Sequence, residues 1–316
     1  MTLKVRIDDA ASDGRSVARH EGCVVFVEGG APGDLAEVVV FKKEKKRLLA
    51  RIGSLLEPSP LRVSPPCPHF GDCGGCSWQH LAYSAQLEYK TKQVFDALTR
   101  IGGFKPESLP PFLPIIPAEN PYFFRNKLDF AFSAKRWKPR HEIQTKTASE
   151  SQPDAALGFH VAGCYDKVLN IDRCLLQDPR VNDVRNELRD FALKSGFSFY
   201  DVKTHAGFLR NVVFRTAPGA IMVVLITGVP PSIAQPPPST LDFQTFPQEI
   251  NAIFEHLRAK FDHLSSLVWI YNPKRNDAYA DLPYKVWAGD EYLIERLGDK
   301  TFEIGPTSFF QTHPRQ

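Results

Sequence analysis

The stretch Cys23–Lys43, CVVFVEGGAPGDLAEVVVFKK, decides the architecture of the N-terminal part of the chain. Two runs rich in Val and Phe flank a cluster of Gly29, Gly30, Pro32 and Gly33, and no helical period appears. Outward from it, LKVRI, the SDGRS turn and VARHEG come before, and RLLARIGSLLE comes after. Such short strands over residues 1–58 are expected to close into an OB-like β-barrel, because closure removes the edges that so small a sheet would leave exposed. Pro58, Pro60, Pro65 and Pro66 then break the chain and mark a boundary.

The stretch KKEKKRLLAR, residues 42–51, holds six basic residues against one Glu. A local cluster of that kind makes a field that attracts phosphate, so Lys42, Lys43, Lys45 and Lys46 are candidate RNA contacts; the plain alternative is a solvated hairpin tip. The whole chain of 316 residues carries a formal charge of only +3, too little to imply a polyanionic partner by itself. With 43% hydrophobic and 24% charged residues, neither wholesale disorder nor a membrane class is favoured. The longest apolar run, Ile221–Val229, reads as a buried strand, and the N-terminus has no signal-like stretch, which makes the cytoplasm the default expectation.

Further along, residues 81–104 read as an amphipathic helix with Leu87, Val94, Leu98 and Ile101 on one face and Gly102 and Gly103 as its stop. Six prolines between Lys105 and Pro121 make an extended connector. Strands are expected at NKLDFAFS, ALGFH, KVLNI, NVVFRT and IMVVLITGV, the last two joined as a hairpin by APGA, and helices at residues 178–197 and 248–261. Two polar stretches, Lys135–Pro153 and Pro230–Ser239, read as inserted loops. The fold class is therefore α+β, multidomain and β-rich: a barrel followed by a mixed α/β central domain.

CPHFGDCGGC places Cys67, Cys73 and Cys76 in a C-x5-C-x2-C pattern. A C-x2-C pair can present two thiolates to one metal from a single turn, and Gly74 and Gly75 permit the backbone to close around the sulfurs. A fourth ligand must come from elsewhere: NIDRC offers Cys174 and VAGCYDK offers Cys164, whose thiolate the neighbouring Asp166 would disfavour. Four thiolates suit an iron-sulfur cluster or zinc, and three close ligands with one remote favour iron. Cys23, inside the apolar strand CVVFV, reads as a core residue.

CPHFGDCGGCSWQHLAYSAQLEYKTKQV, YFFRNKLDFAFS, NIDRC and FEIGPTSFFQT occur in an order that resembles the RNA (uracil-5-)-methyltransferases, most closely the 23S ribosomal RNA branch that carries a [4Fe-4S] cluster. GRSVARHEGCVVFVEGGAPGD resembles the RNA-binding TRAM barrel. The resemblance implies that Cys67, Cys73, Cys76 and Cys174 hold the cluster, that Gln311 contacts S-adenosylmethionine, that Phe309 stacks on a base, and, more loosely, that Arg125, Asn126 and Lys127 touch RNA. It implies methylation of uracil C5 in ribosomal RNA by a monomer, with 23S rRNA as partner and no membrane. In that family a cysteine thiolate adds at C6, C5 attacks the methyl group, and a carboxylate base removes the C5 proton.

In the family, the nucleophilic cysteine, the base and the glycine-rich cofactor loop come after SFFQ. The chain is therefore expected to be truncated, with the Rossmann-like methyltransferase domain mostly absent, no catalytic residue of its own, and no activity alone. The implied division is a barrel at 1–58, an iron-sulfur segment at 59–84, a helix at 85–104 that packs on the catalytic domain, a central domain at 105–298, and the start of the methyltransferase domain at 299–316. The rivals are a non-catalytic RNA-binding module with a structural cluster, a tRNA uracil-5-methyltransferase, and an iron-sulfur redox protein, the last lacking any flavin or electron-donor signature.

Overall fold

Alternation fixes the first strand: Leu3, Val5 and Ile7 of β1 (Thr2–Ala10) are buried while the residues between them face out. A bulge between Ile7 and Asp9 bends the strand at its end. β2 (Ser16–His20), β3 (Cys23–Glu28), β4 (Leu35–Glu44) and β5 (Arg47–Glu57) complete the closed barrel that the sequence led us to expect, in the order β1-β2-β3-β5-β4, which the sequence did not show. Closure depends on the parallel pairing of β3 with β5, Val24 opposite Arg47 through Glu28 opposite Arg51. The barrel core is small and aliphatic, with Val25, Val27, Val38, Leu48 and Ala50 among its members, and Cys23 packs half-buried against it.

This computed structural model describes residues 1–139, 142 and 154–316, so most of the expected loop Lys135–Pro153 lies outside the described residues. The chain forms two compact units. The first comprises Met1–Gly71 and Gly75–Glu119. In it, α1 (Tyr83–Asp96) continues into a π-helical turn at Ala97–Ile101. Of the apolar face read from the sequence, Val94 and Ile101 are exposed, and Ala85 is the buried residue of α1. Lys92 of α1 reaches Asp9 of the barrel at 2.6 Å.

The second unit, Asp72–Gly74 and Asn120–Gln316, is built on a seven-stranded mixed sheet. Its strands are β6 (Lys127–Ser133), β7 (Ala156–His160), β8 (Val168–Asn170), β9 (Leu209–Ala217), β10 (Ala220–Thr227), β11 (Leu264–Tyr271) and β12 (Lys285–Gly289), in the order β12-β11-β10-β9-β6-β7-β8. β9 and β10 form the expected hairpin around Pro218 and Gly219, Ala217 opposite Ala220, and Gly219 takes the positive φ of 76° that the turn requires. β10 and β11 run parallel, joined through helix α3 (Gln248–Lys260).

Strand alternation sends alternate residues of β10 to two different cores. Ile221, Val223 and Leu225 join the core that contains α3 and helix α2 (Arg180–Lys194), together with Leu267 and Trp269 of β11. Met222, Val224 and Ile226 join Val268 and Ile270 against Leu293 and Ile304, which belong to the hairpin β13 (Leu293–Leu297) and β14 (Lys300–Ile304). A strand buried on both faces must be apolar throughout, which explains the uninterrupted run from Ile221 to Ile226. Among the described residues no helix is long and apolar enough to cross a membrane.

Candidate functional site

The basic stretch is the β4–β5 hairpin, with Lys45 and Lys46 between the paired Glu44 and Arg47. Glu44 pairs with Lys42 at 2.9 Å and Arg47 at 2.5 Å, and those two cations hold its carboxyl below the usual range. Lys42, Lys43, Lys45 and Lys46 are all exposed. Beside them an open hollow of about 470 Å³ is lined by Val24, Phe26, Glu44, Lys45, Lys46 and Arg47. The Arg15 guanidinium lies 4.8 Å from the centre of the Phe26 ring. A ring at the base and cations at the rim suit a polyanion that also carries flat bases.

The segment after the barrel is tied to it by a buried carboxylate. Asp34, fully buried, accepts from the N–H groups of Ala31 (2.7 Å) and Ser59 (2.8 Å) and pairs with Arg62 at 2.7 Å. Burial pushes its carboxyl up, but Arg62 and the two N–H groups outweigh that and hold it below 3.8. Gly33, at φ 95°, lies so close to Ser59 that a Cβ would stand 2.9 Å from Oγ. The Trp78 indole N–H donates to the Gly14 carbonyl at 3.0 Å, and His80 Nε2 donates to the Gly30 carbonyl at 2.8 Å.

In the second unit, two motifs far apart in sequence meet. Asn126 donates from its N–H to the Thr312 carbonyl at 3.1 Å and from Nδ2 to the Gln311 carbonyl at 3.0 Å. Phe124 stacks on His313 with ring centres 4.6 Å apart. Arg215, almost fully buried on β9, donates to the carbonyls of Pro306 (3.0 Å) and Ser308 (2.5 Å), so it shapes the turn that leads into Phe309 and Gln311. The Phe309 ring is 86% exposed, available to stack on a flat partner. Lys127 pairs with Asp129 at 3.0 Å and lies over the Tyr279 ring; Tyr279 donates to the same carboxylate at 3.0 Å, and burial together with Asp129 pushes its phenol well above the ordinary range. The Arg125 N–H donates to Leu176, while its Nε is buried with no hydrogen-bond partner among the described residues.

The cysteines divide between the units: Cys67 and Cys76 belong to the first, Cys73 and Cys174 to the second. Among the described residues no three His, Cys, Asp or Glu side chains are grouped as a metal site. Within the second unit, however, Cys73 packs against the same core that contains the buried Cys174. A Cβ on Gly74 would stand 2.8 Å from the His160 carbonyl, so only glycine lets the knuckle approach β7 this closely. Asn182 on α2 clamps Cys174 at both ends, accepting from its N–H at 2.8 Å and donating to its carbonyl at 3.2 Å. Cys164, the other candidate fourth ligand, donates instead to Asp166 at 3.4 Å, and Asp166 pairs with Lys203.

Sequence reasoning missed Asn182, Arg185 and Arg215. Arg185 is the informative omission, since it occupies the stripe of α2 otherwise filled by Val181, Val184, Leu188 and Ala192. A cation at a core position of an amphipathic helix was the signal that could have found it.

A family model for the TRAM domain matches residues 1–52. The chain is 36% identical over 307 residues to a protein of Bacteroides thetaiotaomicron named as an RNA methyltransferase, an alignment that takes in 97% of this chain and 64% of that one. A Chlorobaculum tepidum protein, also named as an RNA methyltransferase, is 37% identical over 320 residues, 99% of this chain and 62% of that one. Among solved structures, the Pyrococcus abyssi tRNA (uracil-54, C5)-methyltransferase in complex with S-adenosyl-L-homocysteine is similar with a TM-score of 0.65 and 26% identity, over 98% of this chain and 62% of that chain. The chain thus spans a little under two thirds of the length of these relatives. The expectation of a truncated, inactive chain with its Rossmann-like domain mostly absent finds no support in these likenesses, which speak for kinship and not for where the protein ends. The barrel is TRAM-like, and over nearly its whole length the chain is similar to proteins named as RNA methyltransferases.

Proposed function

We propose that this chain serves an S-adenosylmethionine-dependent RNA uracil-C5 methyltransferase acting on ribosomal RNA, with 23S rRNA as the substrate. The observation that carries the reading is the joint occurrence of a TRAM-like barrel and a likeness, over nearly all of this chain, to a tRNA uracil methyltransferase solved with S-adenosyl-L-homocysteine. In this reading the β4–β5 hairpin holds phosphate, Phe309 stacks on a base, Gln311 contacts the methyl donor, and Arg125, Asn126 and Lys127 line the RNA path. The donor supplies the methyl group. The nucleophile and the base are not assigned to residues of this chain. We further propose the division into a barrel at 1–58, an iron-sulfur segment at 59–84, a helix at 85–104 and a central domain at 105–298.

A [4Fe-4S] cluster on Cys67, Cys73, Cys76 and Cys174 belongs to the same proposal. The donors fit it chemically, being four thiolates, and two of them, Cys73 and Cys174, belong to one core of the second unit. A second reading, transfer RNA as substrate, is favoured only by the substrate of the solved neighbour. Deleting the gene and quantifying 5-methyluridine by mass spectrometry in separated 23S rRNA and tRNA tests both: loss from rRNA is the expected result, and loss from tRNA alone would select the second. Unchanged levels in both pools, with RNA binding retained by the protein, would make it a non-catalytic RNA-binding module.

A further inference from the structure

On β1 the outer face of the barrel is polar, as solvent requires: the residues that face out are Thr2, Lys4, Arg6 and Asp8. The outer face across β2, β3 and β5 departs from that pattern. On β3, Val25 and Val27 enter the core, so Val24 and Phe26 face out; the same alternation turns Val17 of β2 and Leu49 of β5 outward. The strand register lays these side by side, Val17 opposite Phe26 and Phe26 opposite Leu49, and Lys42 of β4 closes the row opposite Leu49. In the next row Arg19 and Arg47 stand on either side of Val24. An apolar row on a solvent face, bordered by cations, marks a binding surface.

The aromatic member of that row lies within reach of a ligand. Phe26 lines the open hollow of about 470 Å³, whose charged lining sets Lys45, Lys46 and Arg47 against the single carboxylate of Glu44. That carboxylate is already engaged by Lys42 and Arg47. Arg15 backs the ring at 4.8 Å and is anchored by Asp13, which accepts from its Nε at 2.9 Å and also from Nη2. A fixed ring with surplus positive charge around it matches a ligand that carries flat groups between phosphates. We propose that Phe26 is a stacking platform for an unpaired base of single-stranded RNA, with Lys42, Lys45, Lys46 and Arg47 on the flanking phosphates. In a duplex the base planes are hidden, so only phosphate and sugar would meet this face and the ring would stay idle. Stacking tolerates any base, because every base has a π-face, while the cations supply the salt dependence. The platform rests on the RNA reading proposed for the chain, and adds to it that the barrel selects strand form and not sequence.

The test is binding of three probes to the whole chain across a salt series: oligouridine, which is single-stranded and unstructured, an RNA duplex, and inorganic polyphosphate, which has charge and no bases. Phe26→Leu keeps the apolar contact and removes the π-face. It is expected to weaken oligouridine binding about tenfold. Its salt slope and its affinities for duplex and polyphosphate should stay native. Phe26→Trp should keep the affinity for oligouridine, and the introduced indole should change its emission when oligouridine binds but not when polyphosphate does. That emission reports on this position whatever else on the chain binds RNA, so the test stays open should the Leu variant fail to fold. Native oligouridine affinity in Phe26→Leu, or an indole that oligouridine leaves unaltered, would overturn the platform and leave the RNA reading standing. Equal weakening on all three probes in Phe26→Leu would trace the effect to charge or folding and overturn it too. A wild-type chain that binds neither RNA would overturn the RNA reading and this inference together.

Discussion

Asp34 shows how one residue can hold a small barrel to the segment after it. Its carboxylate is wholly buried and fully used by Arg62 and two backbone N–H groups. Removing one partner of such a pair strands the other, so Asp34→Ala is expected to destabilise the first unit by about 3 kcal/mol, measured by urea unfolding. The pH dependence comes from the direction of the shift. Because the folded carboxyl titrates below 3.8, its contribution is complete above that value and is lost as pH falls through the lower, folded pKa. The wild-type urea midpoint should therefore drop on acidification below about pH 4, by more than in Asp34→Asn. An equal drop in both proteins would place the acid sensitivity elsewhere.

At the scale of elements, the β4–β5 hairpin is the most informative. Its register leaves Lys45 and Lys46 at the turn and places Lys42 and Lys43 on the strand that leads to it, all exposed, with Glu44 neutralising part of the charge. Replacing Lys42, Lys43, Lys45 and Lys46 with Gln is expected to weaken RNA binding for all sequences alike and to flatten the salt dependence, since every phosphate no longer neutralised takes roughly 0.9 from the logarithmic slope. Filter binding across a salt series reads both effects; an unaltered slope would reduce the hairpin to a solvated tip. The hairpin was legible in the sequence because a charge run between two apolar strands is a local pattern. Helix α2 was legible only as a helix. That Arg185 faces inward could not be read, because the stripe is judged from the majority of its residues and a long cationic side chain can usually reach water from a helix.

Across the whole molecule, the second unit is organised by a sheet covered on both faces. Trp269 sits at the centre of one face, fully buried, with its indole N–H donating to Thr227 at 2.9 Å and Phe243 against its ring. Trp269→Ala should cost about 3 to 5 kcal/mol, through the cavity left and the unpaired Thr227 hydroxyl, as a lowered denaturant midpoint would show. Trp269→Phe should recover most of the packing and none of the hydrogen bond. If the Ala and Phe variants proved equally stable, the packing account of this core would be wrong.

The sequence by itself determined the strands of the barrel, the hairpin at Pro218 and Gly219, both helices of the second unit and the cysteine spacing. Each of these is written in neighbours a few residues apart, where backbone geometry imposes a period of 2 or 3.6. Only the tertiary structure decided which groups meet across long separations. It paired β3 with β5 and β10 with β11 in parallel, joined Asn126 to the backbone at Gln311 and Thr312, and brought Arg185 and the Cys174 N–H to one oxygen of Asn182. No local signal encodes these, because they are chosen by which apolar faces bury one another and by which buried polar groups must then find partners.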